Sequence, residues 1–427
     1  MSAEISSALA NATRSAVTRR LMPYLLVLYF FAYVDRTNVG IAKIGMQREL
    51  GFSDEVIGFG AGIFFAGYLL FEIPSTLIVE RWSARLWIGR IMITWGIVAT
   101  LMGFIQTETQ FYWLRFALGL SEAGFFPGVI VFLSHWFRAD DRARAKSLFL
   151  VAQPISQVLG LPLSRVIMEN VEWGGLAGWR WVFILEGLPS IVLGVITLFY
   201  LTDWPREARW LAPQQRDWLT GEIERERTTK EAAGLADWWV ALRQPQIYLL
   251  AAISFCAIAG NQSVMFFLPS ITEGWPNLSV TARTVITTLP FLCSFLGILV
   301  AGRLAGRTKQ RQWFVAVPIL INAAGLAGAV ASTGNPWLVI ACFCVAGFAA
   351  QAYLPAFWTF PSTLLTKSGA AVAVGMITTI GGLGGMVGPW AFGYLRTTTG
   401  NFNAGMWVLV GFLAVSGLLA TRIRPGN

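Results

Sequence analysis

The sequence predicts an all-α polytopic membrane protein with about twelve transmembrane helices. Three observations carry that expectation. Of 427 residues, 55% are hydrophobic and 13% charged, where a soluble domain carries about 25% charged residues. Mean hydropathy is +0.59. Apolar stretches of about 20 residues, each able to cross roughly 30 Å of hydrocarbon at about 1.5 Å per residue, recur along the whole chain. None alternates like a strand, and a barrel strand would need only about ten residues, so the spans read as helices.

In order, the spans fall at Leu21–Lys43, Val56–Val79, Leu86–Gln106, Gln110–Trp136, Lys146–Ile167, Gly178–Leu201, Ile247–Ile271, Ala282–Leu304, Trp313–Ser332, Pro336–Leu365, Ala370–Leu395 and Phe402–Thr421. The start MSAEISSALANATRSAVTRR is polar and carries Arg14, Arg19 and Arg20. The apolar run after it is too long for a signal peptide and lacks an A-x-A site, so no cleavage is expected. Cys256, Cys293, Cys342 and Cys344 all fall inside spans without metal-ligand spacing and read as small apolar packing residues.

The net charge of +9 is a topology signal rather than a nucleic-acid patch. Roughly seventeen Lys and Arg in short loops lie on the side of the N-terminus, against about five on the other, which predicts cytoplasmic termini and a multi-pass protein of the cell (inner) membrane. A charged segment, DWPREARWLAPQQRDWLTGEIERERTTKEAAGLADWWVALRQP, separates the sixth and seventh spans. The expected organisation is a cytoplasmic segment 1–20, a six-helix bundle 21–202, a cytoplasmic linker 203–245 with a short surface helix, a second six-helix bundle 246–421 and a tail 422–427. The basic loops ERWSARLWIGR and GRLAGRTKQRQW, in corresponding places, suggest duplication.

Charges inside the spans are the functional signal, because an ionised group at mid-bilayer costs about 2.5 kcal/mol or more unless it faces water or a partner. Asp35 and Arg36 lie in YFFAYVDRTNVG, in the outer part of the first span; Arg115 and Glu122 lie in LRFALGLSEAGFFPG of the fourth. Helix rise puts Arg115 at the depth of Arg36 and Glu122 about 10 Å deeper than Arg115, on the same face two turns on. Two guanidiniums at one depth suit bidentate capture of a carboxylate, with Asp35 and Glu122 taking protons. Two internal salt bridges joining helices one and four are the structural alternative. Gly119 and Gly124 would allow close approach of another helix or a ligand.

The remaining charges suggest structural roles. Glu72, in YLLFEIPS, is expected to brace the loop of Arg81 and Arg85, Glu186 to pair with Arg165 or Arg180, and His135 to sit at the interface beside Trp136. Tyr68, Gln153, Asn261, Gln262, Tyr353, Trp358 and Thr378 are polar groups at helix depth, either pocket residues or inter-helix glue. The run GGLGGMVGP lacks the Lys-Ser/Thr of a phosphate loop and reads as close helix packing. With one histidine, no metal cluster and no dinucleotide fingerprint, an enzyme is not expected.

YFFAYVDRTNVG, FFAGYLLFEIPS, LRFALGLSEAGFFPG and GWRWVFILEGLPS, with FWTFP and GGLGGMVGP, resemble the anion:cation symporter branch of the major facilitator superfamily. That branch includes bacterial transporters of sugar acids, tartrate and phthalate-type aromatic acids. The resemblance implies the major facilitator fold and proton-coupled uptake of an organic anion. By position it implies Asp35 and Glu122 as the protonatable pair, Arg36 and Arg115 as carboxylate ligands, and Tyr68, Gln153, Gln262, Trp358 and Thr378 as pocket residues. The expected partners are a small organic anion and the lipid bilayer, with no nucleic acid, no cofactor beyond the driving proton, and a monomer as the working unit. In helix eleven TTIGG places Thr378 and Gly382 where sugar-acid members carry asparagines, which together with AYLPAFWTF suggests a less polar or aromatic carboxylate. Gly306 stands where the superfamily's basic loop usually has aspartate, suggesting a looser latch. The alternatives are a facilitator-type efflux antiporter, against which QPISQVLGLPLSR lacks the Gly-Pro ending of its fifth helix, and a membrane sensor that binds without transporting.

Overall fold

The computed structural model describes residues 2–232, 243–273, 279–305, 310–332, 334–361 and 367–423. The first span is a longer helix than its apolar core: α1 (Ser2–Thr37) takes in the polar start and continues into α2 (Val39–Leu50). Only Asn38 interrupts it, and its N–H still donates to the Val34 carbonyl at 2.9 Å. Each following boundary has a local cause. Ser53 caps α3 (Asp54–Arg81), Ser83 caps α4 (Ala84–Leu101), and Thr107 with Gln110 forms a capping box on α5 (Glu108–Glu122). The fourth span then breaks at Gly124, whose φ of 84° is open to glycine and poor for other residues, before α6 (Phe125–Trp136). The fifth span is α7 (Ala139–Leu150) and α8 (Ala152–Asn170), and the sixth is α9 (Gly178–Tyr200).

The charged segment contains the expected surface helix, α10 (Pro213–Ala232). Its Leu219 is buried against the first half, Arg142 pairs with Glu226 at 2.6 Å, and the Arg138 guanidinium lies 5.2 Å from the Trp218 ring centroid. Linker positions 233–242, tail positions 424–427 and Gly306 lie outside the described residues. The second half comprises α11 (Pro245–Glu273), α12 (Val280–Ala305), α13 (Trp313–Ala331), α14 (Pro336–Ala350) with its short continuation α15 (Leu354–Phe357), α16 (Lys367–Thr399) and α17 (Phe402–Ala420). Among the described residues, 11 helices are long and apolar enough to cross a membrane. The remaining expected span is α16, 33 residues long and rich in glycine.

Those glycines do the packing that the sequence suggested. A side chain at Gly381, Gly384 or Gly388 would strike Ser254, Phe255 or Ala259 of α11, and one at Gly382 or Gly385 would strike Leu69 or Phe65 of α3. From the other side Gly58 and Gly62 of α3 admit the Pro389 and Met386 carbonyls. Small residues on both faces let α16 lie tightly between the halves, where dispersion and shape rather than hydrophobicity hold helices together in lipid.

The halves are tied at the end bearing the 51–53 turn. There Glu273 of α11 accepts Arg165 of α8 at 2.8 Å, Arg48 of α2 at 3.4 Å and Arg283 of α12 at 3.3 Å. Asp54 of α3 accepts Arg396 of α16 at 3.1 Å and the fully buried Lys43 of α2 at 3.3 Å. The Glu55 N–H also donates to Thr397 Oγ1 at 3.0 Å. At the end of the chain termini, Arg14–Asp141 (3.1 Å), Arg85–Asp203 (3.9 Å) and Arg138–Glu222 (3.8 Å) stay within the first half and its linker helix. One acid from each half thus clasps cations of the other at one end of the bundle.

Candidate functional site

The break in the fourth span positions the central acid. Helix α5 ends at Glu122, and Gly124 packs where any side chain would meet Ser75 of α3. Gly119 lies so close to the Phe64 carbonyl and the Tyr68 N–H that α5 and α3 touch backbone to backbone. Glu122 is therefore held at a helix end against α3, facing α1, and accepts from Arg36 Nε at 2.7 Å and from a second guanidinium nitrogen of the same residue. A membrane helix broken beside a polar group is the usual architecture of a transporter binding site.

Arg36 is the open member of this pair. Its side chain is 18% exposed against 2% for Glu122, and its guanidinium carbon lies 5.2 Å from the Tyr33 and Tyr68 ring centroids and 5.5 Å from that of Phe64. Three aromatic rings around a planar cation hold it without neutralising it. Arg115 sits behind the same Phe64 ring at 4.9 Å, only 1% exposed, and its Nε donates to the Gly60 carbonyl at 3.1 Å. The two arginines share one ring, as equal depth requires, but the expectation that both face one water-filled cavity is corrected. Close crossing of α3 and α5 seals Arg115, and Arg36 alone reaches the open side. Arg115 Nη1 and Glu122 Oε2 are buried with no hydrogen-bond partner.

Asp35, one residue away on a helix, necessarily points elsewhere. It is 2% exposed and accepts from Trp95 Nε1 of α4 at 2.8 Å and from Asn38 Nδ2 at 3.3 Å. The same amide donates to Glu186 Oε2 at 2.9 Å, while Ser164 Oγ donates to Glu186 Oε1 at 2.7 Å. The expected pairing of Glu186 with Arg165 or Arg180 is thus corrected. Arg165 turns to Glu273 and Glu169, and Arg180 to Glu49 at 2.8 Å and to the Gly103 and Ile105 carbonyls. Both arginines sit on turns that face the clasped end, out of line with Glu186.

At Arg85 the bracing expected of Glu72 comes from another acid. The turn of Ser83 and Arg85 is tied by Asp203, which accepts from Ser83 Oγ at 2.7 Å and from the Arg85 N–H at 2.8 Å. Glu72 lies one helical turn past Tyr68, partly buried and in the field of Arg36. The Arg81 side chain lies outside the described residues. His135 stacks on Trp204, with ring centroids 4.1 Å apart.

The polar residues of the spans divide cleanly. Asn261 is glue, donating to the Ala350 carbonyl at 3.1 Å and accepting from Asn322 Nδ2 at 2.8 Å, and Tyr353 is core, edge-on to Phe357. Gln153 and Gln262 are partly buried, and Trp358, just past α15, is 40% exposed. Thr378 spends its hydroxyl proton on its own helix, toward the Val374 and Gly375 carbonyls, leaving only lone pairs to offer. Sequence reasoning missed Asn38, Trp95 and Ser164 as partners of acids, and Gln157, whose Nε2 reaches Met265 Sδ of the other half at 3.7 Å. Of these, Asn38 was readable from its position three residues after Asp35.

Comparison with known proteins fits this arrangement. The Major Facilitator Superfamily profile matches residues 25–389 and 255–427. The chain belongs to that superfamily. Among its relatives in the superfamily is a protein of Agrobacterium vitis named "Putative tartrate transporter", 41% identical over 409 residues, covering 94% of this chain and 89% of that protein. A "Quinolone resistance transporter" of Acinetobacter baumannii is 33% identical, covering 95% and 93%. The "Inner membrane transport protein RhmT" of Escherichia coli is 32% identical, covering 98% and 97%.

Solved structures share the major facilitator fold. A bacterial homologue of the human lysosomal transporter Spinster, inward-facing and unoccupied, aligns with a TM-score of 0.78 at 17% identity, covering 96% of both chains. A D-xylose-proton symporter aligns with a TM-score of 0.75 at 16% identity, covering 96% of this chain and 98% of that one. The superfamily and these relatives are transporters, so this chain is a multi-pass membrane transporter of a small molecule and not an enzyme.

Proposed function

We propose that the protein carries an organic carboxylate into the cell together with a proton, by alternating access between its two six-helix halves. The observation that carries this reading is the Arg36–Glu122 pair, an open guanidinium in an aromatic surround bonded to a sealed carboxylate. Glu122 stands where a substrate carboxylate would bind. A proton on Glu122 cancels its charge and releases Arg36, whose free nitrogens then take the incoming carboxylate. One proton offsets one carboxylate charge, so a monocarboxylate crosses without a net buried charge and a dicarboxylate does so with a second proton, for which Asp35 is the candidate.

Tyr68, Gln153, Gln262, Trp358 and Thr378 are proposed to line the pocket, with Arg115 supporting Arg36 from behind Phe64. Asp35 is proposed as the second protonatable group, in a cluster separate from Glu122. The basic loops support cytoplasmic termini in the cell inner membrane and a clasped end facing outward, which makes this form open toward the cytoplasm. No cofactor is needed beyond the driving proton, and one chain of two bundles suffices as the working unit. The relatives named for tartrate favour a small hydroxylated dicarboxylate over the aromatic acid that TTIGG suggests. Export is a second reading, resting on the Acinetobacter relative; the Gly160-Leu161-Pro162 sequence on the fifth span weighs against it.

Proteoliposomes test the coupling. Uptake of labelled tartrate should rise with an inward proton gradient, and Glu122→Gln should keep anion exchange while losing the gradient's effect. Accumulation by the variant that still follows the gradient would exclude Glu122 as the coupling group.

A further inference from the structure

Glu186 has no place in the mechanism above, yet its surroundings are those of a group that holds a proton. Asp35 and Glu186 are 2% and 1% exposed, and a single amide nitrogen, Asn38 Nδ2, donates to both. Their oxygens therefore lie within about 6 Å of each other. The other donors are also neutral: Trp95 Nε1 of α4 to Asp35, and Ser164 Oγ of α8 to Glu186. Ser190, fully buried one turn past Glu186 on α9, is the remaining hydroxyl beside Asp35.

The cations on the elements packed around α9 are committed elsewhere. Arg36 of α1 pairs with Glu122, Lys43 of α2 with Asp54, Arg48 of α2 and Arg165 of α8 with Glu273, Arg180 of α9 with Glu49, and Arg85 of α4 with Asp203. Arg90 of α4 lies over the Trp87 ring. Among the described residues no ion pair reaches Asp35 or Glu186. Arg115 of α5, sealed behind Phe64, acts on Asp35 from a distance without pairing with it. Two anions this close and dry, with no cation bonded to either, repel each other and lose their hydration, so the pair keeps one proton. A second feature points the same way: Asn38 Oδ1, wholly buried inside the cluster, has no donor, and a carboxylic O–H is the kind of group that would supply one.

We propose that Asp35 and Glu186, bridged by Asn38, form a second proton-binding site, separate from the Arg36–Glu122 pair and holding one proton between two carboxyls. Binding converts one carboxylate to the acid and leaves the other ionised; release returns the proton to solvent. Asn38 is the junction of α1 and α2, two residues from Arg36, so a change of charge in the cluster acts on the helix that presents the guanidinium. A role for this site in transport rests on the proton-coupled reading, whereas its occupancy does not.

Infrared spectroscopy of the purified protein at neutral pH reads that occupancy. The wild type should show absorption from buried carboxylic acid, Glu186→Gln should lower its amplitude by one carboxyl, and Glu122→Gln should leave that component in place. Amplitude in Glu186→Gln equal to wild type would overturn the proposal. Should that variant fail to fold, Ser164→Ala keeps both acids and removes one hydrogen bond, and the band should move to higher frequency; an unmoved band would also overturn it. A wild type whose uptake ignores the proton gradient would sink the transport reading while leaving the infrared result standing.

Discussion

Arg36 gathers three aromatic rings and one carboxylate, and its planar shape is what those partners use. Lysine would keep the charge but lose the flat face against Tyr33, Phe64 and Tyr68 and the paired nitrogens offered to Glu122. We expect Arg36→Lys to weaken anion binding about tenfold, or about 1.4 kcal/mol, by calorimetric titration with tartrate. Unchanged affinity would mean that charge alone suffices. At this scale the sequence showed which residues are out of place in an apolar helix, because a charge there stands out by cost alone. It did not show their partners. Asp35 and Arg36 are neighbours in sequence, but a helix turns about 100° per residue, so one meets Trp95 and the other Glu122.

Helices take their roles from where they break and where they are thin. The fourth span ends its first segment at Glu122 because Ala123–Gly124 leave helical geometry, and α16 fits between α3 and α11 because its glycines remove two layers of side chains. The two clasps at the 51–53 end act on whole elements, since Glu273 gathers α2, α8 and α12 onto α11 while Asp54 joins α2 and α16 to α3. Removing an acid leaves cations facing one another across the interface. Glu273→Gln should therefore shift the carrier toward the form open at this end, by about fivefold to a hundredfold in population. Spin labels at the Asn170 end of α8 and the Val280 end of α12 would register the shift as a longer distance, and an unchanged distribution would show that helix packing alone keeps this end shut.

For the molecule as a whole, binding one ligand across two bundles stabilises the assembly by mass action. At a ligand concentration of about 100 times Kd, unfolding should cost about 2.7 kcal/mol more. A thermal-unfolding screen of mono- and dicarboxylates, sugar acids and aromatic acids should therefore single out one class by a rise of a few degrees. Tartrate is the first candidate. A screen in which all carboxylates behave alike would remove the case for a carboxylate pocket. Lipid, not water, is the expected neighbour of the exposed apolar belt, in which Phe199 is 82% and Trp113 68% exposed.

By itself the sequence determined the membrane setting, the helical class, the approximate spans and the acid and base residues that have no business in oil, because hydrophobicity and the cost of burying charge are local properties of the chain. Only the tertiary structure decided which acid meets which base, that Arg115 is sealed while Arg36 is open, that Glu186 joins Asp35 rather than an arginine, and which end of the bundle is clasped. Those outcomes depend on rotation about each helix axis and on backbone approach at particular glycines. A few degrees or a single methyl group there exchanges one partner for another, and no periodicity in the chain records it.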